Sequence, residues 1–294
     1  MIYTKIKGGL GNQLFQYSVA YYLHNKTGAS ICLDYSSDKA VKLLKLSGIK
    51  KNYSFRNVQL ECFTLNKHEI KSSIACFIID RLVGKIIKGK GFTGKKIAPV
   101  LRDDKDCREI SREILDIEDG LQDIILSGYW QNINYIEPIR ADLISQFELS
   151  IPTGDQYQDI LNRINSCESV GVHIRRGDFV SLGWEKSKDY YLNCINKARE
   201  DTPKAKFFLF SDDQKYVKEN IFDSRDCVQV IMEGNHSDVL EFSLLRSCKH
   251  QIISESTFGW WAAYLNNNPN KKVFIPDGCR GDIWLPEWIR VVEL

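Results

Sequence analysis

The sequence predicts an α/β protein of two doubly wound domains, each a parallel sheet covered by helices. Three observations carry that prediction. Short β-branched or aromatic runs alternate with helical patterns through both halves of the chain. The chain opens with a strand that passes through glycines into a helical pattern. Near the middle, Ile151-Pro152-Thr153-Gly154-Asp155 interrupts the periodicity and reads as a linker, which sets the domains at 1–155 and 156–294.

Ile2 to Lys7 reads as the first strand, Gly8-Gly9-Leu10-Gly11-Asn12-Gln13 as a tight turn, and Leu14 to Leu23 as a helix. Leu14, Phe15, Val19 and Tyr22 give that helix its apolar face. Ile31 to Asp34 is the second strand, so the opening is a β-α-β unit. Residues 42–46 begin a helix, 84–94 form a loop, and Ile124 to Ser127 is a strand leading into Gly128-Tyr129-Trp130-Gln131. Ile136 to Phe147 reads as a helix. In the second half, helices are expected at 157–164, 190–199, 238–248 and 258–265. Strands are expected at 170–174, 206–210, 227–231, 251–254 and 272–275. Ser237 and Ser256-Thr257 stand where helix caps belong.

Composition narrows the function. The chain has 294 residues, is 43% hydrophobic and 27% charged, and carries a formal charge of +2, so bulk electrostatics give no support for nucleic-acid binding. Nine scattered cysteines without a Cys-x-x-Cys pair suit a reduced, cytoplasmic protein, and no histidine spacing suggests a metal. The N-terminus lacks a signal-peptide pattern, and the apolar run at 74–79 is too short to span a membrane. The lysine-rich segment 81–96 reads as an exposed basic helix and loop, with contact to an anionic membrane surface as the alternative.

The densest chemistry lies at Val170-Gly171-Val172-His173-Ile174-Arg175-Arg176-Gly177-Asp178. Two adjacent guanidiniums at the end of a buried strand are costly to hold without an anion, and pairing with Asp178 would satisfy at most one of them. A phosphate or diphosphate is therefore expected beyond that strand end, with a salt-bridged turn, Arg175 or Arg176 paired to Asp178, as the alternative. The turns Gly8 to Gln13, Ser211 to Asp213 and Glu255 to Phe258 follow strands in the same way. Glycines in the first let a ligand approach backbone N–H groups. The hydroxyls of Ser256 and Thr257 would meet an anion at a helix start. Asp238 could accept from the paired N–H groups of a guanine, although spacing alone makes it a helix N-terminal charge complementing the dipole. Tyr129, Trp130 and Gln131 could stack on a sugar ring and bond its hydroxyls, or simply pack.

These motifs carry a resemblance. Gly-Gly-Leu-Gly-Asn-Gln-Leu-Phe-Gln-Tyr at 8–17, His-Ile-Arg-Arg-Gly-Asp at 173–178, Phe-Ser-Asp-Asp at 210–213 and Ser-Thr-Phe-Gly-Trp-Trp-Ala-Ala-Tyr-Leu at 256–265 resemble bacterial α-1,2-fucosyltransferases of glycosyltransferase family 11. The resemblance implies a GT-B-like fold, two Rossmann-type domains facing across a cleft, with the acceptor side in the first and the donor side in the second. It implies an inverting, metal-independent transfer of L-fucose from GDP-β-L-fucose to the 2-hydroxyl of a terminal β-galactose. The partners would be that donor and a galactose-terminated oligosaccharide of a surface glycan, with no nucleic acid. The setting would be the cytoplasm, with peripheral contact at the inner membrane.

Carried over position by position, the resemblance puts Arg175 on the β-phosphate, with Arg176 supporting the fold or the donor loop. Asn12 falls beside the fucosyl group and Asp238 on the guanine. Ser256, Thr257 and Phe258 fall in a loop around the nucleotide. Gly9, Gly11, His173 and Ser211 complete the donor set, and Tyr129 to Gln131 are the acceptor candidates. The base stays open: Asp178 beside Arg175 is a candidate that could instead only orient Arg175 or Arg176, and Glu185 lies in the following loop. Glu255 departs from the asparagine common in the family, and a carboxylate there must point away from a diphosphate.

Two other classes fit parts of the sequence. Gly9, Gly11 and Asp34 mimic a dinucleotide fingerprint with Leu14 in place of its third glycine, which would make a nicotinamide-dependent oxidoreductase. A non-catalytic glycan-binding protein is the other.

Overall fold

In a computed structural model, residues 1–35, 58–66, 100–102, 124–281 and 283–293 are described. The expected elements at 42–46, 74–79, 81–96 and 84–94 lie outside these residues. The chain forms two compact units, Met1–Glu61 with Leu65–Gln146, and Cys62–Thr64 with Phe147–Leu294.

The first unit holds a parallel sheet of β1 (Ile2–Lys5), β2 (Ile31–Asp34), β3 (Val100–Arg102) and β4 (Ile124–Ser127), in the order β2-β1-β4-β3. Helix α1 (Leu10–Thr27) begins inside the glycine run expected to be a turn. Gly9 is extended and acts as the cap, and its carbonyl accepts from the N–H groups of Asn12 and Gln13 at 3.0 and 3.1 Å. The helix stops at Gly28, left-handed at φ 66°, whose N–H bonds the His24 carbonyl. Nor is α1 apolar on one face only. It is buried on nearly every face from Leu10 to Leu23, and its buried polar side chains are all bonded. Gln16 accepts from Lys7 N at 2.9 Å and donates to Gly128 O at 3.0 Å, tying the ends of β1 and β4 together. Pro138 sits in a 3₁₀ turn, Glu137–Ile139, so the helix expected from Ile136 is shortened to α2 (Arg140–Gln146).

The second unit is a six-stranded parallel sheet in the order β10-β9-β8-β5-β6-β7. Its strands are β5 (Glu168–Ile174), β6 (Ala205–Ser211), β7 (Cys227–Gln229), β8 (His250–Ile253), β9 (Val273–Pro276) and β10 (Ile289–Val291). Its helices are α3 (Gly154–Asn165), α4 (Gly177–Leu182), α5 (Lys188–Asp201), α6 (Gln214–Asn220), α7 (Ser237–Ser247) and α8 (Thr257–Leu265). The short elements α4, α6 and β10 carry too few residues for a periodic signal and were not expected from sequence. Ser237 is not the cap of α7. His236 caps it in the left-handed region at φ 61°, after Gly234 at φ 87°, and its ring meets Cys62 Sγ at 3.2 Å instead of a helix N–H. Ser256 does cap α8, accepting from Phe258 N at 3.3 Å.

Strand β5 is buried on both sides, as parallel strands between helices are. Val170, Val172 and Ile174 pack with Tyr190, Tyr191, Cys194 and Ile195 of α5. On the other face a side chain at Gly171 would meet Leu245 and Cys248 of the α7 segment. Gly259 in α8 lies equally close, and an added Cβ would stand 2.9 Å from His173 Nδ1 and 3.1 Å from Ile253 Cβ. Ile253 is fixed in β8, so Gly259→Ala is expected to destabilise the second unit by about 1–3 kcal/mol through overpacking. Urea unfolding should show a lower midpoint at an unchanged slope.

Candidate active site

The second sheet has its topological switch point between β5 and β8. The chain leaves β5 for β6 and β7 on one side and later returns to β8 on the other. Loops diverge at such a point and open a crevice beyond the strand ends. Arg175 follows β5 there, and Ser254 to Phe258 follows β8.

β5 and β6 pair in parallel with Ile174 opposite Ser211. The next residues of each strand end therefore meet in order, Arg175 with Asp212 and Arg176 with Asp213. Arg175 Nη1 reaches Asp212 Oδ2 at 2.6 Å, and its Nη2 donates to Asp178. Arg176 Nε reaches Asp213 Oδ2 at 3.2 Å, and its guanidinium stacks 3.7 Å above the Tyr216 ring. Asp212 Oδ1 also accepts from Arg176 N at 2.8 Å. Asp178 does pair with only one of them, as expected, but Asp212 and Asp213 add to it, so that both arginines are matched by protein carboxylates. Ser211 serves the same joint, donating to Ile174 O at 2.8 Å and accepting from Asp213 N at 3.0 Å. Asp213 Oδ1 caps α6 at Tyr216 N. Gly177 is needed at the start of α4, because a Cβ there would collide with the Asp212 carboxylate.

His173 lies beneath this turn. It is buried, its Nδ1 is 3.3 Å from Ser254 Oγ, and Phe258 stacks on its ring at 5.0 Å. Burial, with the Arg175 charge adding, pushes its pKa down to about 3, so the ring is neutral at ordinary pH. It can support Phe258 but brings no charge to an anion. Phe258 is also held edge-on by Phe242 at 5.4 Å. The Ser256 cap uses only an oxygen lone pair, and the hydroxyl proton is not consumed by that bond. Thr257 opens the first turn of α8 beside it.

Glu255 is taken up by cations of its own. It accepts from Arg280 N and Nε at 2.7 and 2.8 Å, and Lys186 Nζ is 3.4 Å away. Burial opposes its ionisation, yet the Arg280 hydrogen bonds and the Lys186 charge hold its pKa below the usual carboxylate range. Asp238 is exposed in the first turn of α7 and accepts from its neighbour Val239 N at 3.0 Å. Glu241, one turn on, went unnoticed in the sequence. It accepts from Met232 N at 3.1 Å and is pushed up to about 7 by burial, with Asp238 and Asp212 adding negative charge. Asp238 and Asp212 are therefore both within electrostatic reach of one side chain.

The first unit gathers a second cluster at the ends of β1 and β4. Gly8 is left-handed at φ 83°, a conformation that favours glycine, and a Cβ there would sit 3.0 Å from Asn12 Nδ2. The glycine most demanded by this turn is thus Gly8, while Gly9 caps α1 and Gly11 is buried in its first turn. Gln131 Nε2 donates to Asn12 Oδ1 at 3.0 Å. Lys7 Nζ stands 4.9 Å over the ring of Tyr129, which is exposed. Trp130 is only 5% exposed, packs against Tyr135, and is left-handed at φ 57°. A bulky residue held there stores about 1–3 kcal/mol of strain, which elements around a functional site commonly carry. Asp34 is buried at the end of β2.

Among the described residues, no group of three or more His, Cys, Asp or Glu is placed to hold a metal ion. No described helix is long and apolar enough to cross a membrane.

The sequence model of glycosyl transferase family 11 matches residues 121–291. An α-1,2-colitosyltransferase of Escherichia coli is 30% identical over 91% of this chain and 88% of its own length. A galactoside α-(1,2)-fucosyltransferase 2 of Bos taurus is 29% identical over 56% of this chain and 54% of its own. Among solved structures, NodZ α-1,6-fucosyltransferase soaked with GDP-fucose superposes with a TM-score of 0.51 at 16% identity, covering 90% of this chain and 91% of that one. At that identity the likeness speaks to fold, and the fold class is GT-B, with a Rossmann-type parallel sheet in each unit.

Proposed function

Since the chain belongs to glycosyltransferase family 11, we propose that it is an inverting α-1,2-fucosyltransferase. The donor is GDP-β-L-fucose, and the acceptor is the 2-hydroxyl of a terminal β-galactose in a surface glycan or oligosaccharide. The observation that carries this reading is Arg175, held between Asp212 and Asp178 at the switch point of the second sheet. The named substrates of the relatives support the sugar, the linkage and the galactoside.

In the reaction the acceptor oxygen attacks C1 of fucose while the bond from C1 to the β-phosphate oxygen breaks. Negative charge builds on the departing GDP, and Arg175 stabilises it. The turn carries three aspartates against two arginines, so a diphosphate has to displace one carboxylate. Asp178 is the one to yield, because its side chain is 53% exposed while Asp212 is also tied to Arg176 N. Displaced, Asp178 is left as a carboxylate beside the donor, where it can take the acceptor proton. Arg176 and Ser211 keep the turn in place. Asp238 accepts from the guanine, and Ser256, Thr257 and Phe258 meet the nucleotide at the start of α8, with His173 behind Phe258. On the first unit, Asn12 is the amide for the fucosyl group, with Gly9 and Gly11 shaping its helix start. Tyr129 and Gln131 are acceptor contacts, with Trp130 beneath them. The enzyme works in the cytoplasm.

The test is transfer from GDP-fucose to a panel of β-galactosides, with the product linkage read by NMR. An α-1,2 product supports the reading, and no product with any of them refutes it. The 30% identity to a colitosyltransferase favours one second reading, in which the donor sugar is colitose. That sugar lacks the 3-hydroxyl of fucose, and a GDP-colitose arm of the same assay separates the two. Charge stabilisation by Arg175 and the α8 N-terminus needs no divalent ion. EDTA is therefore expected to leave the initial rate unchanged, and a strict requirement for added Mn²⁺ would contradict this.

A further inference from the structure

We propose that Trp184 forms an acceptor subsite on the second unit, a ring on which the apolar face of the galactoside stacks. The proposal rests on the transferase reading above and adds a contact to it.

Helix α4 buries none of its residues, and within five positions the chain exposes Val180 by 44%, Leu182 by 51% and Trp184 by 41%. Val180 and Leu182 stand two positions apart on α4 and so face different ways, whereas Trp184 follows the helix as an exposed aromatic with protein partners of its own. The indole is held still. Trp184 N bonds Phe179 O at 2.9 Å, and the Phe179 ring meets the indole edge-on at 5.8 Å. The Arg280 guanidinium lies 4.2 Å over the indole. Arg280 is fixed in turn by two hydrogen bonds to Glu255, which is only 7% exposed and is also paired with Lys186. A buried carboxylate thus aims a cation that aims an exposed ring.

Such a ring suits a sugar. A galactose ring presents C–H groups on one face and hydroxyls at its edge, matching an indole with charged groups around it. The location also suits an acceptor. The Phe179 ring that touches the indole also carries the Arg175 guanidinium 5.5 Å above it. A galactoside on Trp184 would sit one aromatic ring away from the arginine assigned to the leaving group.

The experiment compares Trp184→Ala and Trp184→Phe with wild type, using lactose, N-acetyllactosamine and methyl β-galactoside with GDP-fucose. Trp184→Ala is expected to raise the acceptor KM about tenfold, near 1.4 kcal/mol. The KM for GDP-fucose should stay within about twofold and Trp184→Phe should recover most of the loss, as expected for aromatic stacking. Binding of the same galactosides to the GDP complex, read by tryptophan fluorescence, should lose its signal in Trp184→Ala. The binding arm also separates the two readings. Galactoside binding that depends on Trp184 without turnover would refute the transfer and keep the subsite. An unchanged acceptor KM and binding signal would overturn the subsite. So would an equal rise in the donor KM, which would mean that Trp184 acts through Arg175. Wild type sedimenting as a dimer that Trp184→Ala breaks would assign the patch to a second copy and overturn it as well.

Discussion

Replacing Arg175 with alanine is expected to lower kcat for transfer from GDP-fucose by about 10²–10³, the usual effect of removing one group that meets developing negative charge. The loss should fall on kcat more than on KM, because that charge is largest in the transition state. Thermal unfolding should hardly change. The ion pairs lost with Arg175 are partly exposed to solvent, and such pairs contribute little to stability. Arg175→Lys should rescue little. One ammonium cannot keep Asp212 on one side, release Asp178 on the other and still face a phosphate with a planar fork. Steady-state kinetics with lactose, beside a melting curve, checks all three statements. Wild-type turnover by the alanine variant would refute the assignment of Arg175.

Asp212→Ala is expected to lower kcat by up to about 100-fold, since misplacing a group near the chemistry by an ångström costs on that order. Asp212 holds both the Arg175 guanidinium and the backbone of Arg176. Gly177→Ala should show the same defect, because its new Cβ pushes the Asp212 carboxylate out of both bonds. Stability should not suffer, since alanine is a better helix former than glycine at the start of α4. The double variant separates mechanism from accident. If both changes act through one carboxylate, the pair should be no slower than Asp212→Ala alone. Multiplying defects would show that Gly177 acts by another route.

The architecture was legible in the sequence because strand and helix periods alternate and the long elements carry strong patterns. Strands β1, β2, β5, β6 and β8 stand within a residue or two of where the patterns put them. The charge balance of the arginine turn was not legible. Counting near neighbours found Asp178 alone, while Asp212 and Asp213 are distant in sequence and adjacent only through the register of β5 on β6. Two acids directly after a hydrophobic strand, in step with two bases after another, were the available signal. The start of α1 was misread for a similar reason. Glycines at 8, 9 and 11 suggest a loop, but burial and the Gly9 carbonyl carry the helix through them. The cap of α7 was missed because it depends on a left-handed His236 held against Cys62, a contact that no local pattern encodes. Glu255 was legible as an oddity, and only its partners Lys186 and Arg280 explain it.

β5 gains its two neighbours at different moments of biosynthesis. β6 leaves the ribosome first and brings Asp212 and Asp213 to the two arginines, whereas β8 and the α8 aromatic come only after α7. The charged half of the crevice is therefore complete before its apolar half. The same two carboxylates, Asp212 and Asp213, hold Arg175 and Arg176 in the finished chain.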